Sequence, residues 1–233
     1  MTTYFVRATQ LVAVSVGLIA VTANPARAQR AEASVEIGYT GSNGITGAST
    51  HIIQGLPYQN LDVTHGFSWG FTAGGFLNEN MELEFLFGHQ TSTFQVSNPS
   101  PDLKVSALGV YNSHGNFVYN FGESGAKIRP YAFGGLGATH YSPGNLAITP
   151  VIPGKTTIDS ATKFSTTWGG GVKFYPSGQA FGVRAGIRWT PTYIQSNPGG
   201  TWCDPWYGCW VIGNAEYSQQ FEFSVGVTYK FQD

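Results

Sequence analysis

From Phe221 to Phe231 every second residue is apolar: Phe221, Phe223, Val225, Val227, Tyr229 and Phe231. Between them stand Glu222, Ser224, Gly226, Thr228 and Lys230. A period of two over this length predicts a β-strand with two chemically different faces. The same alternation recurs along the chain and predicts eight strands. The first, Ala31–Thr40, sets Ala33, Val35, Ile37 and Tyr39 against Glu32, Ser34, Glu36 and Gly38. The second runs from His65 to Leu77, the third from Met81, the fourth from Lys104 to Phe121 and the fifth from Lys127 to Tyr141, where the two faces are least distinct. The sixth is Lys163–Tyr175, the seventh Ala180–Ile194 and the eighth Tyr217–Phe231.

The connections alternate in length. Short turns at Asn78–Asn80, Gly122–Ala126 and Pro176–Gln179 follow the second, fourth and sixth strands. Longer stretches, 41–64, 94–103, 142–162 and 195–216, follow the other four. This arrangement is that of an all-β, eight-stranded antiparallel up-and-down barrel.

Such a barrel can face water with its charged side or lipid with its apolar side, and volume decides between them. The apolar faces carry Phe67, Trp69, Phe71, Phe85, Phe87, Phe117, Trp168, Phe174, Trp189, Phe221 and Phe223. An eight-stranded interior is only just wide enough for ordinary side chains, so these rings would overpack it. The opposite faces, rich in Gly, Ser and Thr, fit inside and also carry the charges Glu32, Glu36, Glu82, Glu84, Lys163, Lys173, Arg184, Arg188, Glu222 and Lys230. A cation facing mid-bilayer costs about 2–4 kcal/mol, which accounts for its absence from the apolar faces. The sequence therefore reads as a transmembrane β-barrel with outer-membrane lipid outside and a polar plug within.

Composition sharpens this picture. Charged residues make up 11% of the chain and aromatics 15%, with 31 glycines. Residues 1–28 read as a secretory signal peptide: Arg7 is basic, Leu11–Ala23 is a short apolar run, and Ala26-Arg27-Ala28 is a small-x-small cleavage site. Residues 29–233 form the barrel domain, with ten Lys and Arg against thirteen Asp and Glu. That balance gives nucleic acid nothing to bind. The two cysteines, Cys203 and Cys209, lie in TWCDPWYGCW, and export into an oxidising compartment predicts a disulfide between them. No His or third Cys stands near enough to make a metal site, and no cofactor motif occurs.

With these features the chain resembles the small outer-membrane β-barrel family of the OmpA and OmpX transmembrane type. The resemblance covers Ala31–Phe231 and is carried by FVYNFG, IRPYAFGGLGA, WGGGVKFYPSG and FEFSVGVTYKF. It implies location in the cell outer membrane and a final aromatic, Phe231, recognised by the outer-membrane assembly machinery, although Gln232 and Asp233 follow it here. The chain stops where OmpA-like proteins continue into a peptidoglycan-binding domain, so the expectation is that it is not tethered to the cell wall by that route.

Three constellations are candidates for function. Glu36, Glu84 and Glu222 with Arg184 and Arg188 stand at similar distances from the short turns. They form either a salt-bridged plug or the lining of a narrow gate, and the cost of an unpaired buried ion favours the plug. The stretch 195–216 places Trp202, Trp206, Tyr207 and Trp210 around the cysteine pair. These rings either cap the barrel mouth or bind an extracellular ligand. His140-Tyr141-Ser142 resembles the HxS motif of lipid A 3-O-deacylases, which implies Ser142 as nucleophile and His140 as base. That family's Glu shortly after the Ser has no counterpart here, since no Glu occurs between Glu123 and Glu216, and Asp159 is the nearest substitute. The expectation is a non-enzymatic structural or surface-interaction protein acting through four extracellular loops. A narrow pore for small solutes is the alternative, and a lipid-modifying enzyme the third reading.

Overall fold

The computed structural model describes residues 31–43, 45–148, 158–176, 180–194, 203–204, 208–209 and 216–231. The expected signal peptide, 1–28, lies outside them. The strands are β1 (Ala31–Ser42), β2 (Ile45–Ile53), β3 (Leu56–Val63), β4 (Gly66–Phe76), β5 (Met81–Pro99) and β6 (Leu103–Asn120). They continue with β7 (Ile128–Leu146), β8 (Ala161–Phe174), β9 (Phe181–Ile194), β10 (Cys203–Asp204), β11 (Gly208–Cys209) and β12 (Glu216–Phe231). Eight of them, β1, β4–β9 and β12, close into an antiparallel ring sealed by the β1–β12 and β5–β6 pairings. These are the eight strands the alternation predicts.

The exposure pattern settles which way the barrel faces. Phe223 is 68% exposed and Val35 65%, whereas Arg184 is 2% exposed and Lys173 1%. A protein surrounded by water would invert both. The fifth predicted strand, β7, resolves as Arg129, Tyr131 and Phe133 inward and Ile128, Pro130 and Ala132 outward. Its faces read poorly because two aromatic rings point into the barrel while small residues face the lipid.

The register fixes the geometry of the ring. Starting at Gly38 and stepping between directly opposed residues, one direction reaches Val110 through Ser68 and Gln90. The other direction reaches Asn120 through Ser224, Gly186, Gly171 and Tyr131. The ring therefore closes with an offset of ten residues along β6. For eight strands this shear tilts each strand by about 40°, so each residue climbs about 2.5 Å along the barrel axis. Equal depth then shifts by about one and a quarter residues from strand to strand. On that scale Tyr39, Trp69, Trp168 and Trp189 share one depth. Phe121, Phe174, Phe181, Tyr229 and Phe231 form a second girdle about 20 Å below, at the short-turn end.

The connections on the other side are more ordered than expected. The stretch 41–64 contains the β2–β3 hairpin, turned at Gln54–Gly55 with φ of 52° and 80°. Two left-handed residues in a two-residue turn match the twist of the strands they join. β3 pairs with the upper part of β5, from Tyr58 opposite Pro99 to Val63 opposite Phe94. Nearly all of 94–103 is strand, leaving residues 100–102 as the connection. At about 2.5 Å of climb per residue, β5 is about 47 Å tall, roughly 20 Å more than the apolar band of an outer-membrane barrel. Period-two hydrophobicity gives no warning of these extensions, because above the lipid the outward residues are Thr91, Thr93, Gln95 and Ser97.

Depth sets the cost of an outward charge. Val227, midway between the girdles, replaced by Arg will cost about 2–4 kcal/mol, and Thr91→Arg, above the upper girdle, about 0–1 kcal/mol. Urea unfolding from lipid vesicles will measure the difference.

Candidate functional site

The barrel interior is where charge concentrates, and it is layered. Near the short turns, Lys173 Nζ lies 2.6 Å from Glu32 Oε1 and 3.1 Å from Glu82 Oε2. Tyr175 donates its hydroxyl hydrogen to Glu32 at 2.6 Å, and Asn120 Nδ2 donates to Glu82 at 3.3 Å. One layer up, Arg184 is clamped between Glu84 and Glu36, with Nε 3.2 Å from Glu36 Oε1 and a bidentate contact to Glu84. Its guanidinium lies 4.5 Å from the centre of the Tyr131 ring and also donates to the Tyr131 and Thr72 hydroxyls. At the depth of the tryptophan girdle Arg188 donates to Glu222 Oε2 at 2.7 Å, and Thr40 donates to the same oxygen at 3.0 Å.

The five charges expected to act together thus divide into two groups, Glu36–Arg184–Glu84 and Arg188–Glu222. The Glu32–Lys173–Glu82 layer was missed as a unit. Its signal was present: each of the three stands next to the end of its strand at the short-turn side. Inward glycines make the layers possible. A Cβ on Gly186 would sit 2.5 Å from the Tyr131 hydroxyl, and one on Gly88 would sit 2.9 Å from Arg188 Nη2.

Above the charges comes a neutral belt. Asn112 donates to Gln220 at 2.9 Å, Thr139 to Asn112 at 2.7 Å, and His114 Nε2 meets Ser165 Oγ at 2.8 Å. Higher still the interior turns apolar: Tyr58, Phe94, Val96, Leu108, Tyr141 and Ile194 are buried in one cluster. The β2–β3 hairpin supplies Ile53, Tyr58, Leu61 and Val63 to it. Polar below and apolar above, the described residues set side chains into the lumen from the short turns up to the hairpin.

Cys203 and Cys209 stand directly opposite each other in the β10–β11 pair. Trp202, Trp206, Tyr207 and Trp210 lie outside the described residues. Phe231 ends β12 opposite Ala31, edge-on to Tyr229 at 4.8 Å. His140 and Ser142 share the outward face of β7, and His140 Nδ1 meets Thr162 Oγ1 at 2.9 Å. A hydroxyl therefore occupies the place where an orienting carboxylate would be needed, and among the described residues no hydrogen bond joins His140 to Ser142.

The two charge groups will differ in what they contribute. Arg184→Met leaves Glu84 and Glu36 buried without their cation and will cost about 3–5 kcal/mol. Arg188→Met, beside the partly exposed Glu222, will cost less, and adding Glu84→Gln to Arg184→Met will recover part of the loss. Equilibrium unfolding of the four proteins measures all of this.

The model of the outer membrane protein beta-barrel domain matches residues 13–231. No curated protein matches the chain. Among solved structures, the outer membrane protein OprG of Pseudomonas aeruginosa superposes with a TM-score of 0.57 at 12% identity, covering 89% of this chain and 98% of that one. Neisserial surface protein A gives 0.50 at 15%, covering 87% and 97%. AlkL, determined in lipid bilayers, gives 0.51 at 16%, covering 91% and 96%. At such identities the likeness is one of fold, while the family match extends over nearly the whole chain. The protein belongs to the outer membrane protein β-barrel domain family and is an integral β-barrel of the outer membrane.

Proposed function

We propose that this barrel is a non-conducting membrane anchor that holds a β-structured extension at the cell surface for interaction with an extracellular partner. The observation that carries the reading is the succession of side-chain layers across the lumen: three ion-pair layers, a hydrogen-bonded belt and an apolar cluster follow one another along the axis. A solute path would have to break several buried ion pairs at once, each costly to separate in a low-dielectric interior. The extension is built to last, since the β2–β3 hairpin is tied to β5 and shares a core with it. Its outward tip is apolar, with Ile52 65% and Leu56 48% exposed. A narrow pore is the competing reading, favoured by interior polar atoms such as Ser68 Oγ and Thr167 Oγ1 that have no protein partner.

Cleavage after Ala28 leaves Gln29 as the mature N-terminus, and Cys203 and Cys209 form a disulfide that pins the last long loop. Phe231 serves as the assembly-signal aromatic for the outer-membrane assembly machinery.

In planar bilayers the purified protein will add no discrete current steps, and regular steps from the unaltered chain would replace the anchor by the pore. On intact cells, Gln54→Cys will react with a membrane-impermeant maleimide while Gly125→Cys, in a short turn, will not. Cys203 and Cys209 will be alkylated only after reduction.

A further inference from the structure

The tryptophans of the upper girdle are not alike. On β8 and β9 the indole N–H groups are satisfied by the protein: Trp168 donates to Thr166 Oγ1 at 3.1 Å and Trp189 to Gln219 Oε1 at 2.5 Å. Trp69, on β4, has no protein acceptor among the described residues. Instead it begins a row of outward side chains on directly opposed positions: Trp69, His89, Tyr111, His140 and Thr162, across β4 to β8. The rings follow one another at 5.6 Å, 4.6 Å and 6.1 Å between centres.

The row climbs. Each step from β4 towards β8 rises about 3 Å along the axis, so His140 stands about 9 Å above Trp69. Trp69 stands in the upper aromatic girdle, and the polar side chains His89, Tyr111 and His140 above it lie where the apolar band gives way to the headgroup layer of the outer leaflet. The Tyr111 ring lies over Gly109, where a Cβ would be 3.2 Å from its hydroxyl. That hydroxyl thus points up the strand, away from the membrane centre. Tyr111 has no protein acceptor among the described residues either, and no Asp or Glu occupies an outward position on β4–β8. Such a row offers a rising series of N–H and O–H donors with nothing anionic from the protein to receive them. Phosphate oxygens, acceptors carrying negative charge, are what that layer supplies.

A second feature adjoins it. On the lipid face, Ile37, Phe67, Phe223 and Val225 wall an open groove of about 370 Å³ beside Trp69, and Ile37 is the residue directly opposite Trp69 on β1. Apolar and at girdle depth, the groove fits an acyl chain. We propose that His89, Tyr111 and His140 bind the phosphate of an outer-leaflet lipid whose ester oxygens face the Trp69 N–H and whose acyl chain lies in this groove. The site belongs to one side of the barrel, because across the ring Trp168 and Trp189 already spend their donors on the protein.

Native mass spectrometry of the full-length mature protein in detergent micelles tests this with three probes: phosphatidic acid, diacylglycerol with the same chains, and inorganic phosphate. One phosphatidic acid will bind per barrel, more tightly than either other probe. Trp69→Phe with Tyr111→Phe, which removes two donors and keeps both rings, will weaken it about tenfold. His89→Ala and His140→Ala will each weaken it, and Trp189→Phe will not. Heat-dependent mobility in SDS shows that each variant is folded. Equal binding of diacylglycerol would reduce the site to its groove, and equal binding of inorganic phosphate would reduce it to a free-anion site; either overturns the proposal. Affinity unchanged in the donor variants, or lowered as much by Trp189→Phe, overturns it too.

Discussion

Hydrocarbon offers no hydrogen bonds, so a peptide group left unpaired inside a bilayer costs several kcal/mol, and this governs everything else in the molecule. The chain meets it by closing β1 onto β12 and β5 onto β6, leaving no strand edge within the apolar band. Closure at a shear of ten then dictates the tilt, the tilt dictates how many residues cross the membrane, and both dictate a lumen of fixed width. The lumen is narrow enough that side chains from one wall reach those of another.

Filling a lumen whose wall alternates in and out raises a second problem. Apolar inward residues would make both faces of every strand hydrophobic, and the strands would lose the pattern that sets their register. Polar inward residues avoid this but must be paired. Arg184 between Glu36 and Glu84, and Lys173 between Glu32 and Glu82, are the solutions, each cation bridging carboxylates from two other strands. β1 and β5 supply the acids; β8 and β9, across the ring, supply the bases. These pairs therefore fasten strands that are not neighbours in the sheet to each other.

The membrane-embedded part was the most legible in the sequence, because lipid outside and polar filling inside impose a strict period of two. Phe221–Phe231 shows it without interruption. Legibility fell where one of those solvents changes. On β7 the inward Tyr131 supports Arg184 and stacks on the inward Phe133 at 6.1 Å, which breaks the polar side of the pattern. In 41–64 water replaces lipid, and Gly47, Gly55 and Pro57 look like loop residues although they sit in or between strands. The charge groups were half legible: counting from the short turns finds which residues are inward, but the inclined ring decides which of them meet. The row from Trp69 to His140 left no local signature, since its members are 20 to 29 residues apart and come together only through the register.

Among the described residues the paired rim above the membrane is uneven. β5, β6 and β7 run to Pro99, Leu103 and Leu146, while β8, β9 and β12 stop nearer the tryptophan girdle, at Ala161, Ile194 and Glu216. On the axial scale set by the tilt, the first group stands roughly 10 Å higher than the second. The barrel therefore has a front and a back in the plane of the membrane. In a crowded outer membrane, neighbours arriving from the two sides meet different walls. The tall one screens whatever lies at its foot from large molecules outside while leaving it open to lipids that diffuse in sideways.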